Sequence, residues 1–288
     1  MVPSIFKDKL AAGEFIFAPG IQDMITAVVA DRVGFEVVYA TGYWLTASAY
    51  GLPDAGIVSY TEMVDRVATL VRTSKAAVVA DADTGYGGLL NVHHTVRGYQ
   101  EAGVCGIQLE DQEFPKKCGH TPNKRLVSCE EMVEKIRVAV DARTDPNLQI
   151  IARTDARQSE GLSGAIKRAQ AYREAGADVT FVEALHSDEE MRTACTEVDG
   201  PAMANMSNGG MTPMRNIEEM KALGYNFAIA PSLTSLASAW AVEHALRESL
   251  RQGGSPQPEG VPMMDFKEFC SLIGFEEVWA FERKWAKD

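Results

Sequence analysis

The sequence predicts an α/β protein folded as a (β/α)8 TIM barrel with a C-terminal helical extension. Three observations carry that prediction. Eight short apolar runs alternate with helical, amphipathic stretches over residues 1–253. The runs are continuously apolar instead of alternating, which marks strands covered on both faces and therefore parallel. A helix-stopping glycine recurs shortly before a buried run, at Gly34, Gly103, Gly176 and Gly224; glycine suits the left-handed position beyond a helix end. An open doubly wound sheet is the rival, but no Gly-x-Gly-x-x-Gly follows the first strand. Eight strand–helix pairs close a barrel.

After a short leader, residues 14–18 form the first strand, closed by Pro19-Gly20, and a helix follows over 21–33. The second strand is 37–41, closed by Gly42. Ser59 and Glu62 have capping-box spacing and open an amphipathic helix through Val71. Strand three spans 76–83, helix three 92–102, and strand four 106–111. Ser128 and Glu131 repeat the capping box at the start of a helix through Ala142. Strands five to eight are expected over 148–155, 178–184, 201–205 and 226–231. Helices at 162–175, 188–198, 217–223 and 234–252 separate and follow them. A Gly-Gly-Ser-Pro-Gln-Pro-Glu-Gly linker begins at Gly253, so the chain divides into a catalytic barrel, 1–253, and a linker with a helical tail, 254–288. That tail carries Phe266, Phe269, Leu272, Ile273, Val278, Trp279, Phe281 and Trp285, too much apolar surface to lie free in water. It must bury against the barrel or against another subunit.

Hydrophobic residues at 46% and charged residues at 24% match an ordinary globular protein. The net charge of −12 argues against nucleic acid or an anionic membrane as partner. No apolar window is long enough to span a bilayer. The N-terminus lacks the basic-then-apolar order of a secretion signal. Five cysteines without paired spacing read as reduced thiols, and a cytoplasmic location is expected.

Chemistry in a barrel of this kind gathers at the carboxyl ends of the strands. Those ends read Thr41 and Gly42; Asp81 and Asp83; Glu110 and Asp111; Arg153 and Asp155; Glu183; Asn205. Asp81 and Asp83, two apart on an extended strand, point the same way. With Glu110 and Asp54 they can surround a hard divalent cation such as Mg²⁺, which keeps several waters and needs few direct carboxylates. Hydrogen bonding to neighbouring loops is the other reading of these acids. Zinc is disfavoured, since His93 and His94 are adjacent and no Cys/His cluster has ligand spacing. Arg153 offers a fork for a substrate carboxylate, or else a salt bridge to Asp155 or Glu183. Asn205, Ser207, Asn208, Gly209, Gly210 and Thr212 could seat a second carboxylate, or form an ordinary polar loop. The segment 115–124 sets Cys118 between Lys116-Lys117 and Gly119-His120. Nearby cations favour the thiolate, although a basic surface loop with an idle cysteine would read the same way.

The segments Lys116-Lys117-Cys118-Gly119-His120, Asp81-Ala82-Asp83-Thr84-Gly85-Tyr86-Gly87, Glu110-Asp111-Gln112 and Ala152-Arg153-Thr154-Asp155 together resemble the isocitrate lyase/phosphoenolpyruvate mutase superfamily. The likeness runs over about 17–253, and the cysteine points to its short lyase branch, which holds the 2-methylisocitrate lyases, 2,3-dimethylmalate lyases and petal death-like enzymes. The resemblance implies a retro-aldol carbon–carbon cleavage of a small 2-hydroxy dicarboxylate to a 2-oxoacid and a carboxylate. It implies Mg²⁺, or Mn²⁺, on Asp81 and Asp83, with Asp54 and Glu110 acting through water. Arg153 and the amides near Thr41, Gly42 and Tyr43 would hold the 2-oxoacid end. Asn205, Ser207 and the Gly209-Gly210 loop would take the departing carboxylate. Cys118 would act as general acid, tuned by Lys116, Lys117 and His120; Gly119 and His120 would also line the substrate, and Glu183 would orient Arg153 or water. A homotetramer with tails exchanged between subunits is expected on the same ground. Oxaloacetate hydrolysis to oxalate and acetate, or a non-catalytic metabolite-binding barrel, are the alternatives. Two departures from the methylisocitrate pattern favour an alkyl-substituted malate. Pro231-Ser232-Leu233-Thr234-Ser235-Leu236 lacks the arginine expected there, and Trp44 stands where small residues are usual.

Overall fold

The computed structural model describes residues 2–119, 121 and 123–286. Eight parallel strands close in sequence order: β1 (Ile16–Ile21), β2 (Val37–Ala40), β3 (Ala77–Asp81), β4 (Gly106–Glu110), β5 (Gln149–Thr154), β6 (Val179–Val182), β7 (Ala202–Asn205) and β8 (Phe227–Ala230). β1 pairs with β8 from Ile16↔Phe227 to Pro19↔Ala230, which shuts the barrel. Around them lie α1 (Ile5–Ala11), α2 (Met24–Val33), α3 (Gly42–Tyr50), α4 (Tyr60–Thr73), α5 (Leu89–Ala102), α6 (Cys129–Ala142), α7 (Arg157–Glu174), α8 (Asp188–Glu197), α9 (Ile217–Leu223) and α10 (Leu233–Arg251). The tail holds α11 (Phe266–Leu272) and α12 (Phe275–Trp285). No helix among the described residues is long and apolar enough to cross a membrane.

Local signals and structure agree at the helix ends. The Ser59–Glu62 capping box is complete. At α6 only half of one forms, with Ser128 accepting from the Glu131 backbone. Gly34, Gly103 and Gly224 cap their helices in the left-handed region. Some expected boundaries need correction. β1 continues through Pro19-Gly20 to Ile21 instead of ending at 18, and α2 starts only at Met24, behind its Asp23 cap. Gly20 is there because a methyl group would fall 2.3 Å from the Pro231 carbonyl oxygen, so the two strand ends touch only if one has no side chain. The leader is a helix, α1, whose Phe6 is fully buried and meets Phe227 edge to face at 5.1 Å, plugging the amino end of the barrel. The stretch after β2 is also a helix, α3, and it carries Trp44 to the opposite end.

The tail is only partly accounted for by its own chain. α11 lies on α2, with Cys270 buried and Arg32 paired to Glu268. α12 buries no residue; Phe281 and Trp285 are 65% and 62% exposed. On α10, Trp240 and Leu250 are also bare, and a groove of about 810 Å³ opens between α3 and α10. Apolar surface on this scale favours association, so we expect tails to be exchanged between subunits. Deleting residues from Val261 onward should then lower the mass measured by light scattering, and an unchanged assembly size would refute the idea.

Candidate active site

Strand order brings remote stretches to one mouth. A cavity of about 310 Å³ at the carboxyl end of the barrel is bordered by Thr41, Tyr43 and Asp54 on one side and by Asp81 and Arg153 at its floor. Lys116, Lys117, Cys118 and Gly119 cover it, and Glu183, Asn205, Ser207, Gly209 and Gly210 line the far side. Gly42, Asp83 and Glu110 sit just behind this surface. His120 lies outside the described residues.

The acids meet differently from the sequence expectation. β3 ends at Asp81, and Asp83 adopts φ 49°, so a turn and not a strand pleat brings the two together. Asp81 Oδ1 accepts from the Asp83 backbone at 3.0 Å and from Gln108 at 3.4 Å. A methyl group on Gly42 would lie 3.0 Å from Asp81 Oδ2 and 3.3 Å from Asp83 Oδ1, so glycine leaves room for both carboxylates. The turn is held from outside by Tyr99, which donates to the Asp81 carbonyl, and by Thr95 and Lys135, which donate to the Gly85 and Thr84 carbonyls.

Lys116 does more than flank the thiol. Its ammonium is buried among the acids, 2.5 Å from Asp54 and 2.9 Å from Asp83. Burial raises the Asp83 carboxyl, Lys116 pulls it down and Asp81 and Asp54 push it back up, leaving it at about 6. Three carboxyl groups, Asp54, Asp81 and Asp83, thus gather around one ammonium. Glu110 stands close by: it is 1% exposed, burial pushes its carboxyl well above the usual range against the pull of Arg153 and Lys116, and its Oε1 has no hydrogen-bond partner. Among the described residues no three or more His, Cys, Asp or Glu side chains gather tightly enough to enclose an ion unaided. An excess of hard oxygen donors with one orphaned carboxylate oxygen nevertheless fits a hydrated Mg²⁺, which takes one or two direct carboxylates.

Arg153 adopts the second of its two readings while still bordering the cavity. Its Nε and one terminal nitrogen donate to both oxygens of Asp155, at 2.9 and 3.0 Å. Glu110 and Glu183 stand 3.4 and 3.5 Å away. Burial pushes Asp155 up, but Arg153 and then Lys124 overcome it and hold the carboxyl well below the usual range. Glu183 accepts from the Asn205 amide at 3.0 Å, which fixes the side chain expected to face the leaving carboxylate. Lys117 extends outward, its ammonium on the Asn123 carbonyl, while Gln112 grips its backbone from both sides.

Asp111 turns away from the cavity. It accepts from Thr154, the Asp155 backbone, Tyr172 and Arg168, tying β4 to β5 and α7. Tyr39, Trp44, Ile229, Pro231 and Leu236 also line the cavity. Of these, Trp44 and the 231–236 segment carry a signal in the sequence pattern. Tyr39 lies two positions before Thr41 on β2, and period-two reasoning would have found it. Lys124 lies in the 115–124 segment and Asp155 in the Arg153-Thr154-Asp155 strand end, and nothing in their spacing along the chain predicts that they pair.

Residues 6–250 match the family model described as phosphoenolpyruvate phosphomutase. The chain is 43% identical over 280 residues to 2,3-dimethylmalate lyase of Eubacterium barkeri, covering 97% of this chain and 96% of that protein. It is 41% identical over 282 residues to 2-methylisocitrate lyase of Halalkalibacterium halodurans, covering 98% and 93%. Among solved structures, oxaloacetate acetylhydrolase in complex with 3,3-difluorooxalacetate superposes with a TM-score of 0.91 at 32% identity, over 98% and 96% of the two chains. Phosphonopyruvate hydrolase in complex with oxalate and Mg²⁺ does so with 0.89 at 28%, over the full length of both.

Proposed function

This chain belongs to the phosphoenolpyruvate mutase/isocitrate lyase superfamily, and from that premise we propose that it is a Mg²⁺-dependent carbon–carbon lyase. Its substrate is a small 2-hydroxy dicarboxylate of the substituted-malate type, cleaved to a 2-oxoacid such as pyruvate and a carboxylate. The observation that carries the reading is the placement of Cys118 over the same cavity that Asp81 and Arg153 floor.

Asp81 and Asp83, backed by Asp54 and Glu110, would hold the ion. When bound, it would polarise the substrate's 2-oxygen and adjoining carboxylate. Arg153 and the start of α3, at Thr41 and Gly42, would bind that carboxylate. Asn205, oriented by Glu183, and the backbone around Gly209-Gly210 would hold the second carboxylate on the carbon that departs. A water or carboxylate beside the ion would take the 2-hydroxyl proton as the C=O forms, and Cys118 would give a proton to the departing carbon as the bond breaks, so that no proton is gained or lost overall. Lys116, set among the acids, would keep their charge in balance.

The lining also supports a substrate with an alkyl group. Its cations are Arg153, Lys116 and Lys117, and the first two are already engaged by carboxylates. Trp44, Ile229, Pro231 and Leu236 make the opposite wall apolar. A third carboxylate there would be desolvated without a counter-charge.

A panel of substituted malates assayed for 2-oxoacid release tests the reading. Turnover should fall by roughly 100-fold or more after chelation and return with Mg²⁺ or Mn²⁺. Likeness to oxaloacetate acetylhydrolase favours a second reading. Oxalate released from oxaloacetate, with no cleavage of any malate, would establish it instead. Binding without turnover of either substrate class would leave a metabolite-binding barrel.

A further inference from the structure

Lys124 is a buried lysine that the mechanism above does not use. Its side chain is only 3% exposed. The ammonium donates to two acceptors at once: Asp155 Oδ1 at 2.8 Å and the Gly119 carbonyl at 2.5 Å. Each acceptor belongs to a different half of the site. Asp155 is the residue that grips Arg153 through both of its oxygens. Gly119 directly follows Cys118, and its backbone lies so near the guanidinium that a methyl group there would fall 2.1 Å from the Arg153 terminal nitrogen. The Thr121 backbone and hydroxyl both donate to the Cys118 carbonyl, at 2.9 and 2.7 Å, closing the turn locally. That turn has no strand or helix to hold it against the barrel floor.

Asp155 would keep its bidentate partner without Lys124, so the lysine is not needed merely to neutralise that carboxylate. Desolvating an ammonium is costly unless its hydrogen bonds are well met. Here one of those bonds goes to a main-chain oxygen, the carbonyl of Gly119. A cation between a carboxylate and a carbonyl makes the strong, charge-assisted kind of link.

We propose that Lys124 is a positioning residue that fixes the Cys118 turn and the Arg153 guanidinium relative to one another by bridging Gly119 and Asp155. Its consequence for turnover rests on the reading of Cys118 as proton donor; its consequence for the thiol's accessibility does not. Removing the ammonium takes the Gly119 carbonyl off Asp155 and leaves the segment held from its amino-terminal side by Lys116 and Gln112, and the thiol then samples positions away from the cavity.

Alkylation of Cys118 by iodoacetamide, resolved by peptide mass and followed over a pH series, reads this directly. The rate on the high-pH plateau reports access to the thiolate, separately from any change in the thiol's titration. In Lys124→Met the plateau rate should rise about 10-fold or more, with Cys129 on α6 unchanged as internal standard. Lys124→Arg should return it to within about 3-fold of the parent. With a substrate identified, kcat should fall about 10-fold in Lys124→Met and recover in Lys124→Arg. A parental plateau rate in folded Lys124→Met overturns the inference; faster alkylation with kcat unchanged upholds the bridge and overturns Cys118 as proton donor instead. Should Lys124→Met not fold, Lys124→Gln is read in its place with the same two outcomes. An enzyme with no lyase turnover at all would refute the proposed function while the alkylation result still decided the role of Lys124.

Discussion

Cys118→Ser is expected to lower lyase turnover by roughly 10²–10⁴-fold, the range a positioned general acid contributes, with thermal stability unchanged. Cys118 is half-buried on a turn that covers the cavity, not in the barrel core. Losing the thiol therefore removes no packed side chain. A serine hydroxyl fits the same space but is far too weak an acid to deliver a proton near neutral pH. The effect should appear in kcat, because the acids proposed to hold the ion and the Arg153 proposed to bind the ground state are untouched. Steady-state release of 2-oxoacid is the measurement, and full retained turnover would remove the thiol from the proton transfer.

The second large effect is on stability. Arg153→Met should destabilise the barrel by about 3–5 kcal/mol, the cost of stranding buried charge, lowering Tm by roughly 10 °C. Arg153 stands among Asp155, Glu110 and Glu183, each 1% exposed or less as a side chain. Its removal leaves these carboxylates facing one another, with Lys124 reaching Asp155 alone among the three. The deficit should depend on pH with a definite sign. The folded pKa of Asp155 is depressed, by Arg153 and then Lys124 against the upward push of burial. Its contribution is therefore present above the unfolded carboxyl value of about 3.9 and is lost as pH falls toward the folded value. The variant has less of that contribution to lose, so the gap between the two proteins should narrow below about pH 4. Urea midpoints at pH 7 and pH 3.5 measure it; a gap that widened on acidification would contradict the assignment.

Much of the architecture could be read from the chain because its signals are local. Continuous apolar runs and the glycines at 34, 103, 176 and 224 carried strand number, parallel direction and closure order. α1 and α3 escaped detection for physical reasons. α1 has only seven residues, and its Ser4 cap makes no side-chain bond. α3 begins without a side-chain cap and has no charged face to set a helical period against. β1 was cut short because Pro19-Gly20 reads as a stop, when in this barrel glycine serves the close approach of Pro231. Of the strand-end residues, Asp81, Arg153, Glu183 and Asn205 line one cavity, whereas Asp111 turns away from it to Thr154, Tyr172 and Arg168. The pairing of Arg153 with Asp155 is one of its two sequence readings, but the lysine partners are not legible: Lys116 goes to Asp54 and Asp83, and Lys124 to Asp155.

By itself the sequence determined the barrel, the superfamily and the set of residue types gathered at its carboxyl end. All three are written in periodicity, punctuation and short contiguous motifs. Only the tertiary structure decided which charge each of those residues faces. A buried ion takes whatever opposite charge barrel closure brings within about 4 Å, and spacing along the chain does not encode distance across neighbouring strands. Lys124 and Asp155 stand 31 positions apart in the chain and 2.8 Å apart in space.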